Sequence, residues 1–360
     1  MPLLEPLEER REQCLSYKHA MAPLVLITGA TGLIGFRVLL EALRKGYNVR
    51  FTARSCEKAE KVTSNPVMQA LSPGDRLSPI IMPDTTVDSA FDDALEDVTY
   101  VIHVGSPVPV PGFDPVTQVW EPTIKGVSNL LASARKVPSI KRIIITSSIV
   151  GNMPPIPDPF TTVTASSRVH LPGPPPTSFS NLFEAYALAK ITEANDTDAF
   201  VEKNKPHFSV AHIMPGYVFG RNELALTADE VLHNNSSNMY LMTCITGKEV
   251  TFPLHGGYVH IDDLADVHLK VLRLEPGPGT PRNFGACTNI DYSAIFDYIE
   301  KAFPKAVADG TFRRGNLHTL PISYDSSETE KVLGIKFRPF EYAVVDAARQ
   351  YLEKLGKELA

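Results

Sequence analysis

The chain has 360 residues, 43% of them apolar, enough to bury a sizeable core as one large α/β domain or as a domain with a smaller lobe. Its 35 basic residues against 41 acidic ones leave a formal net charge of −6 with no long basic run, which argues against nucleic acid or an anionic membrane as a partner. No apolar run reaches membrane-spanning length, and Glu8-Glu9-Arg10-Arg11-Glu12 excludes the apolar centre of a secretory signal. The four cysteines, Cys14, Cys56, Cys244 and Cys287, are scattered without a C-x-x-C pair or zinc-ligand spacing, so reduced thiols, a cytoplasmic location and no metal are expected.

Residues 1–22 read as an N-terminal extension, because Met21-Ala22-Pro23 directly precedes the first strand signal. Residues 1–20 are expected to be a dispensable tail, or translation to start at Met21. The apolar run 24–27 then reads as a buried parallel strand, followed by Thr28-Gly29-Ala30-Thr31-Gly32-Leu33-Ile34-Gly35 opening a helix to about residue 45. In this turn Gly29 serves the tight exit from the strand, Gly32 the approach of backbone N–H groups to a pyrophosphate, and Gly35 the packing of helix on sheet. The helix N-terminus adds a partial positive charge for the phosphates. The dinucleotide contacts expected here are Gly29, Thr31, Gly32, Leu33, Ile34 and Gly35.

Residues 48–52 read as a second strand, and its end is where a dinucleotide fold meets the adenosine ribose. An acidic residue there would accept from a free 2′-hydroxyl. This chain has Arg54, with Lys58 one turn on, which suits a 2′-phosphate and so predicts NADPH over NADH. Arg37 is a weaker phosphate candidate. Residues 78–82 form a third strand ending near Asp84, a candidate for the adenine amino group or for the cap of a helix over 87–95. A fourth strand, 99–104, leads into His103-Val104-Gly105-Ser106-Pro107, and Trp120-Glu121-Pro122-Thr123-Ile124-Lys125-Gly126 opens a long helix that carries Asn129.

A fifth strand, 142–146, ends in Ser147-Ser148. Much later, Tyr186-Ala187-Leu188-Ala189-Lys190 sits in a helical stretch from Asn181 to about residue 203, where Tyr186 and Lys190 at i and i+4 share a face. Serine, tyrosine and lysine converging at the end of strand five make a carbonyl-reducing set. A free phenol titrates near about 10 and holds its proton at neutral pH, while a neighbouring ammonium draws that value toward the working range. The expected roles are Tyr186 as proton donor, Lys190 as its tuner and Ser147 or Ser148 as the group that orients the carbonyl oxygen. The proline-rich segment 154–176 reads as an ordered loop beside the pocket. A sixth strand, 207–213, leads into Met214-Pro215-Gly216-Tyr217-Val218.

Thr-Gly-x-x-Gly-x-x-Gly, His-Val-Gly-Ser-Pro, Glu-Pro-Thr-x-x-Gly, Tyr-x-x-x-Lys and the Pro-Gly-x-Val-x-Gly run together resemble the extended short-chain dehydrogenase/reductases, in their dihydroflavonol-reductase-like branch. With Ala53-Arg54-Ser55, His260-Ile261-Asp262-Asp263 and Leu333-Gly334-Ile335-Lys336-Phe337, the chain is similar over about residues 23–350 to fungal NADPH-dependent aldehyde and ketone reductases of the methylglyoxal/isovaleraldehyde reductase type. The resemblance implies a doubly wound Rossmann-type parallel sheet over 23–215. It further implies a smaller substrate lobe from 216–257 and 276–350, with 258–275 returning to the core. It also implies Ser148 rather than Ser147 as the catalytic hydroxyl, backbone contacts to the cofactor from Val104 and Ser106, nicotinamide-side contacts from Pro215 and Val218, a nicotinamide-ribose contact from Tyr186 and Lys190, and a place near Thr123 where relatives hold a relay asparagine. The function implied is an NADPH-dependent carbonyl reductase acting on a small-molecule ketone or aldehyde, as monomer or homodimer. The competing readings are a ketoreductase of a fungal polyketide pathway, a nucleotide-sugar epimerase, and a non-catalytic NADP sensor. The dehydratase variant requires Thr-Asp-Glu where this chain has Ser148-Ile149-Val150, and the sensor reading conflicts with a complete serine, tyrosine and lysine set.

Overall fold

The computed structural model describes residues 22–358 except positions 155, 172, 174, 175, 276 and 278. The N-terminal tail with its alternative start at Met21, Cys14, and much of the Pro-Gly-Pro-Pro-Pro run lie outside the described residues.

Seven parallel strands form the central sheet: β1 (Leu24–Thr28), β2 (Asn48–Ala53), β3 (Leu77–Ile81), β4 (Tyr100–His103), β5 (Arg142–Thr146), β6 (Ser209–Pro215) and β7 (Asn283–Ala286). Their order is β7-β6-β5-β4-β1-β2-β3. The chain winds outward from β1 in one direction and from β4 in the other, which leaves a crevice at the carboxyl ends where the order reverses.

Strand alternation builds the two faces. Val25, Ile27, Ile102 and Ile144 point into one apolar cluster, covered by helix α1 (Leu33–Arg44) and by Ile261–Arg273. Leu26, Val101, Ile143 and Ile145 point into the other, covered by helix α2 (Glu121–Ala134). Helices on both faces are why these strands read as unbroken apolar runs. Each fully buried Leu or Ile there contributes about 1.5–3 kcal/mol. A separate cluster containing Phe219, Leu241, Met242, Tyr258, Tyr292 and Phe340 forms the core of the smaller lobe. Helix α3 (Leu182–Asn204), capped by the Asn181 side chain on the Glu184 amide, packs beside α2 and against the turn Ile149–Gly151. Helix α4 (Ile261–Arg273) follows the strand Gly257–His260 back to the sheet and packs on α1.

Three expectations are corrected. The stretch 87–95 is not a helix: Ser89 has φ +63°, and only the short 3₁₀ turn Asp93–Leu95 forms. Left-handed backbone at a non-glycine residue interrupts the helical hydrogen-bond ladder there. The 276–350 assignment to the lobe misplaces Asn283–Ala286, which pairs with His212–Pro215 as the outermost strand of the main sheet. The proline-rich loop also contains a regular element, Thr162–Thr164, paired in parallel with Ser323–Asp325. That strand ties the loop to the part of the chain that closes the lobe.

Candidate active site

At the carboxyl end of β1, Gly29 has φ +71°, and a Cβ on it would lie 2.9 Å from the backbone of Val104 and Gly105. A Cβ on Gly35 would lie 2.2 Å from the Gly29 carbonyl oxygen. Both positions therefore demand glycine. Gly32 differs, since a Cβ there would meet protein only at 3.5 Å, and its side of the turn is open. Gly32 caps α1 without any side-chain acceptor for the first amides. An open cradle beside uncapped amides fits the phosphates of a dinucleotide. Thr31 and Ile34 are half-buried and Leu33 is buried in this turn.

The Thr28 hydroxyl accepts from the amides of Val104 at 3.1 Å and Gly105 at 3.0 Å, so its own hydrogen donates to His103 Nδ1 at 2.9 Å. His103 is thus a packed strut between β1 and β4, and Thr28 holds Val104 and Gly105 under the glycine turn. Burial, with the Lys190 charge as a smaller cause, pushes its pKa down to about 3. His268 on α4 is a second buried imidazole, 2.8 Å from Thr146 Oγ1 and 2.7 Å from the Leu264 carbonyl, and burial lowers it to about 4. Both rings are neutral in the folded chain at neutral pH. Below the ordinary value of 6.5 the unfolded chain takes up a proton on each, while the folded chain does not until about 4 and about 3. Stability present at neutral pH is therefore lost as pH falls through that window, at roughly 1.4 kcal/mol per pH unit for each ring. Denaturant unfolding between pH 6.5 and 4.5 measures this slope, and His268→Gln should remove its share; an unchanged slope contradicts the assignment.

Arg54 follows the last residue of β2, is exposed, and enters no ion pair with another described residue; Lys58 is likewise exposed. The Ser55 side chain caps the next helix by accepting from the Lys58 amide at 3.3 Å. Arg37 is not available for phosphate: it pairs with Glu223 at 2.6 Å, Asp262 at 3.0 Å and Glu41 at 3.1 Å. Asp84 is exposed beyond β3 and accepts from the Thr86 amide at 2.7 Å, which lowers its pKa and closes a turn rather than capping a helix. Thr123 donates to the Val119 carbonyl at 2.7 Å, and Asn129 donates to the carbonyls of Thr85 and Val87 at 3.0 and 2.9 Å. Asn129 thus anchors α2 to the loop after β3, and neither side chain is brought to Lys190.

The remaining candidates converge at the ends of β4, β5 and β6. Lys190 donates to Ser106 Oγ at 2.9 Å and to the Thr146 carbonyl at 3.2 Å, tying α3 to both strand ends. Ser148 is half-buried and caps the turn Ile149–Gly151, accepting from the Val150 amide at 3.4 Å. Ser147 is buried with its amide on the Ile213 carbonyl, which separates the two serines in favour of Ser148 as the accessible one. Tyr186 is half-buried one helical turn before Lys190, packed with Ile149, Val150 and Met214. Pro215 ends β6 beside Ala286, and Val218 is buried against the main core. Val104 is half-buried at the exit of β4.

Sequence reasoning missed two groups. Glu193 pairs with Lys190 at 2.9 Å, a contact its i+3 spacing could have signalled. Aromatic side chains also gather near Tyr186, whose phenol acts on that of Tyr217. Phe183 lies 5.7 Å from the His255 ring, Tyr217 lies 6.1 Å from Tyr240, and Tyr240 lies 5.8 Å from Phe252, all between centroids. Burial, then the neighbouring phenols of Tyr240 and Tyr186, push the Tyr217 pKa well up, so it stays protonated.

A sheet of this order, a glycine turn after β1, and serine, tyrosine and lysine at the strand ends define a dinucleotide-dependent oxidoreductase of the extended short-chain dehydrogenase/reductase type. The chain belongs to the NAD dependent epimerase/dehydratase family, whose profile matches residues 25–285. It is 35% identical over 93% of its length to ketoreductase CTB6 of Cercospora beticola, covering 96% of that protein. It is 36% identical over 88% of its length to the epimerase/dehydratase ALT6 of Alternaria alternata, covering 94% of it. Its fold superposes with a TM-score of 0.76 on yeast methylglyoxal/isovaleraldehyde reductase Gre2 complexed with NADPH, at 24% identity over 93% of this chain and 100% of that one. Among the described residues no helix is long and apolar enough to cross a membrane, and no cluster of three or more His, Cys, Asp or Glu is placed to hold a metal ion. Cys56, Cys244 and Cys287 are free thiols.

Proposed function

We propose that the protein is an NADPH-dependent ketoreductase in which Tyr186 donates the proton, Lys190 tunes it and Ser148 orients the substrate oxygen. The observation that carries this reading is the Lys190 ammonium, buried at the crevice and fixed to Ser106 and the end of β5, one turn from a half-buried tyrosine. When bound, the reduced nicotinamide supplies a hydride to the carbonyl carbon. The chain's part is to meet the oxygen. Ser148 donates a hydrogen bond to it, Tyr186 gives it the phenolic proton as negative charge develops, and the nearby ammonium stabilises the phenolate left behind. The aromatic side chains of Phe183, His255, Tyr217 and Tyr240 favour a ketone carrying a flat apolar or aromatic body. A polyketide-like substrate matches that chemistry, and the relatives named as ketoreductases agree with the reaction class.

NADPH is preferred because Arg54 stands where a 2′-phosphate would sit and has no carboxylate partner among the described residues. The test is oxidation of NADPH against NADH with a panel of aryl ketones, diketones and short aldehydes. Arg54→Asp should raise KM for NADPH by roughly 10- to 100-fold, the size of a lost charge-assisted hydrogen bond, and lower KM for NADH, whose free 2′-hydroxyl the new carboxylate accepts from. An unchanged cofactor preference refutes the role of Arg54.

A further inference from the structure

Tyr186, Lys190, Glu193 and Thr197 follow one another at spacings of four, three and four along α3, and so form a single polar stripe on the inward side of the helix. Lys190, Glu193 and Thr197 are each 1% exposed. The ammonium has three hydrogens and three acceptors: Ser106 Oγ at 2.9 Å, the Thr146 carbonyl at 3.2 Å and Glu193 Oε2 at 2.9 Å. Among the described residues, Glu193 is the one carboxylate within ion-pair distance of it.

The second carboxylate oxygen, Glu193 Oε1, makes no hydrogen bond, and lies 3.7 Å from His212 Nε2, which makes none either. His212 comes from β6 and is also 1% exposed. Burial drives its pKa down; Glu193 and Asp198 from α3 oppose that, while Arg168 before α3 and Arg282 before β7 add to it. The imidazole is therefore neutral, and the charge of Glu193 is balanced by Lys190. An exposed i, i+3 pair would be screened and nearly worthless, but this one is shut off from water. Without the carboxylate, the ammonium would keep only a hydroxyl and a carbonyl as acceptors, with the neutral His103 ring on the β4 side, and its charged form would lose the one ionic partner it has.

We propose that Glu193 is a positioning residue of the active site, which keeps the buried Lys190 ammonium charged and fixed against Ser106 and the end of β5. This rests on the reading above that Lys190 acts on Tyr186. A positioning residue and a mere helix staple separate by pH.

The test compares wild type, Glu193→Gln and Glu193→Asp in two measurements. The first is the pH profile of kcat for NADPH-dependent ketone reduction, with NADPH affinity measured by fluorescence. Glu193→Gln should bind NADPH within a few-fold of wild type but lose its activity at lower pH, the alkaline limb falling by about one unit or more. Glu193→Asp should restore part of the shift, and it answers the question alone if the Gln protein does not fold. A profile that keeps its position while kcat drops evenly overturns the proposal and leaves Glu193 a staple. The second is independent of turnover: the ¹³Cε resonance of Lys190 in lysine-labelled protein, assigned by its absence in Lys190→Arg, followed against pH. It should move at lower pH in Glu193→Gln than in wild type. Identical titration in both proteins overturns the proposal, whether or not any ketone is reduced.

Discussion

Tyr186→Phe should bind NADPH within a few-fold of wild type and lose kcat by about 10³-fold, within the range that one positioned acid supplies. The substitution removes one hydroxyl and leaves the ring. That ring packs against the buried cluster that holds Ile149, Val150 and Met214, packing phenylalanine preserves, so the fold has no reason to change. Lys190 keeps its three acceptors because none of them is Tyr186. Stopped-flow reduction together with fluorescence binding measures both quantities. Retained turnover would mean that the proton comes from elsewhere, and the neutral, half-buried Tyr217 would be the phenol to examine first.

Gly35→Ala should abolish dinucleotide binding and cost roughly 3 kcal/mol of stability, at the upper end for overpacking. Its Cβ would lie 2.2 Å from the Gly29 oxygen, 2.5 Å from the Gly29 carbonyl carbon and 2.9 Å from the Ala30 amide. All three are backbone atoms, so no rotamer change relieves the clash, and the start of α1 must leave the turn. Gly32→Ala is the informative partner. Its Cβ would meet only the Gly29 oxygen, at an ordinary 3.5 Å, and the residue has φ −113°. The melting temperature should stay within a degree or two while NADPH affinity falls by at least about tenfold. Equal loss of stability in both variants would contradict the open cradle at Gly32.

The strands of the main sheet were readable because helices cover both faces and leave runs such as Leu24-Val25-Leu26-Ile27 and Ile143-Ile144-Ile145 without polar interruption. The catalytic candidates were readable because Tyr186 and Lys190 are local in sequence and their chemistry narrows the alternatives. β7 escaped notice since Asn283-Phe284-Gly285-Ala286 is short and becomes a strand only by pairing with His212–Pro215, a contact made across the fold. Arg37 looked like a phosphate ligand by position, and only the structure brings Glu223 and Asp262 to it. The 87–95 stretch carries a helical pattern that Ser89 cancels with a single left-handed residue. Glu193 sat in plain view at i+3 from Lys190, yet its weight comes from burial, and His212 gives no local sign at all of facing it.

The most direct test of the account is the fate of the hydride. An aryl ketone turned over with NADPH deuterated at C4 of the nicotinamide should yield an alcohol carrying one deuterium on the former carbonyl carbon. The label should appear with wild-type protein, at a rate that depends on Tyr186, and far more slowly when NADPH is replaced by NADH deuterated at the same position. Tight NADPH binding with no label in the alcohol from any ketone or aldehyde of the panel would contradict a carbonyl reductase and leave a protein that binds the cofactor without using it.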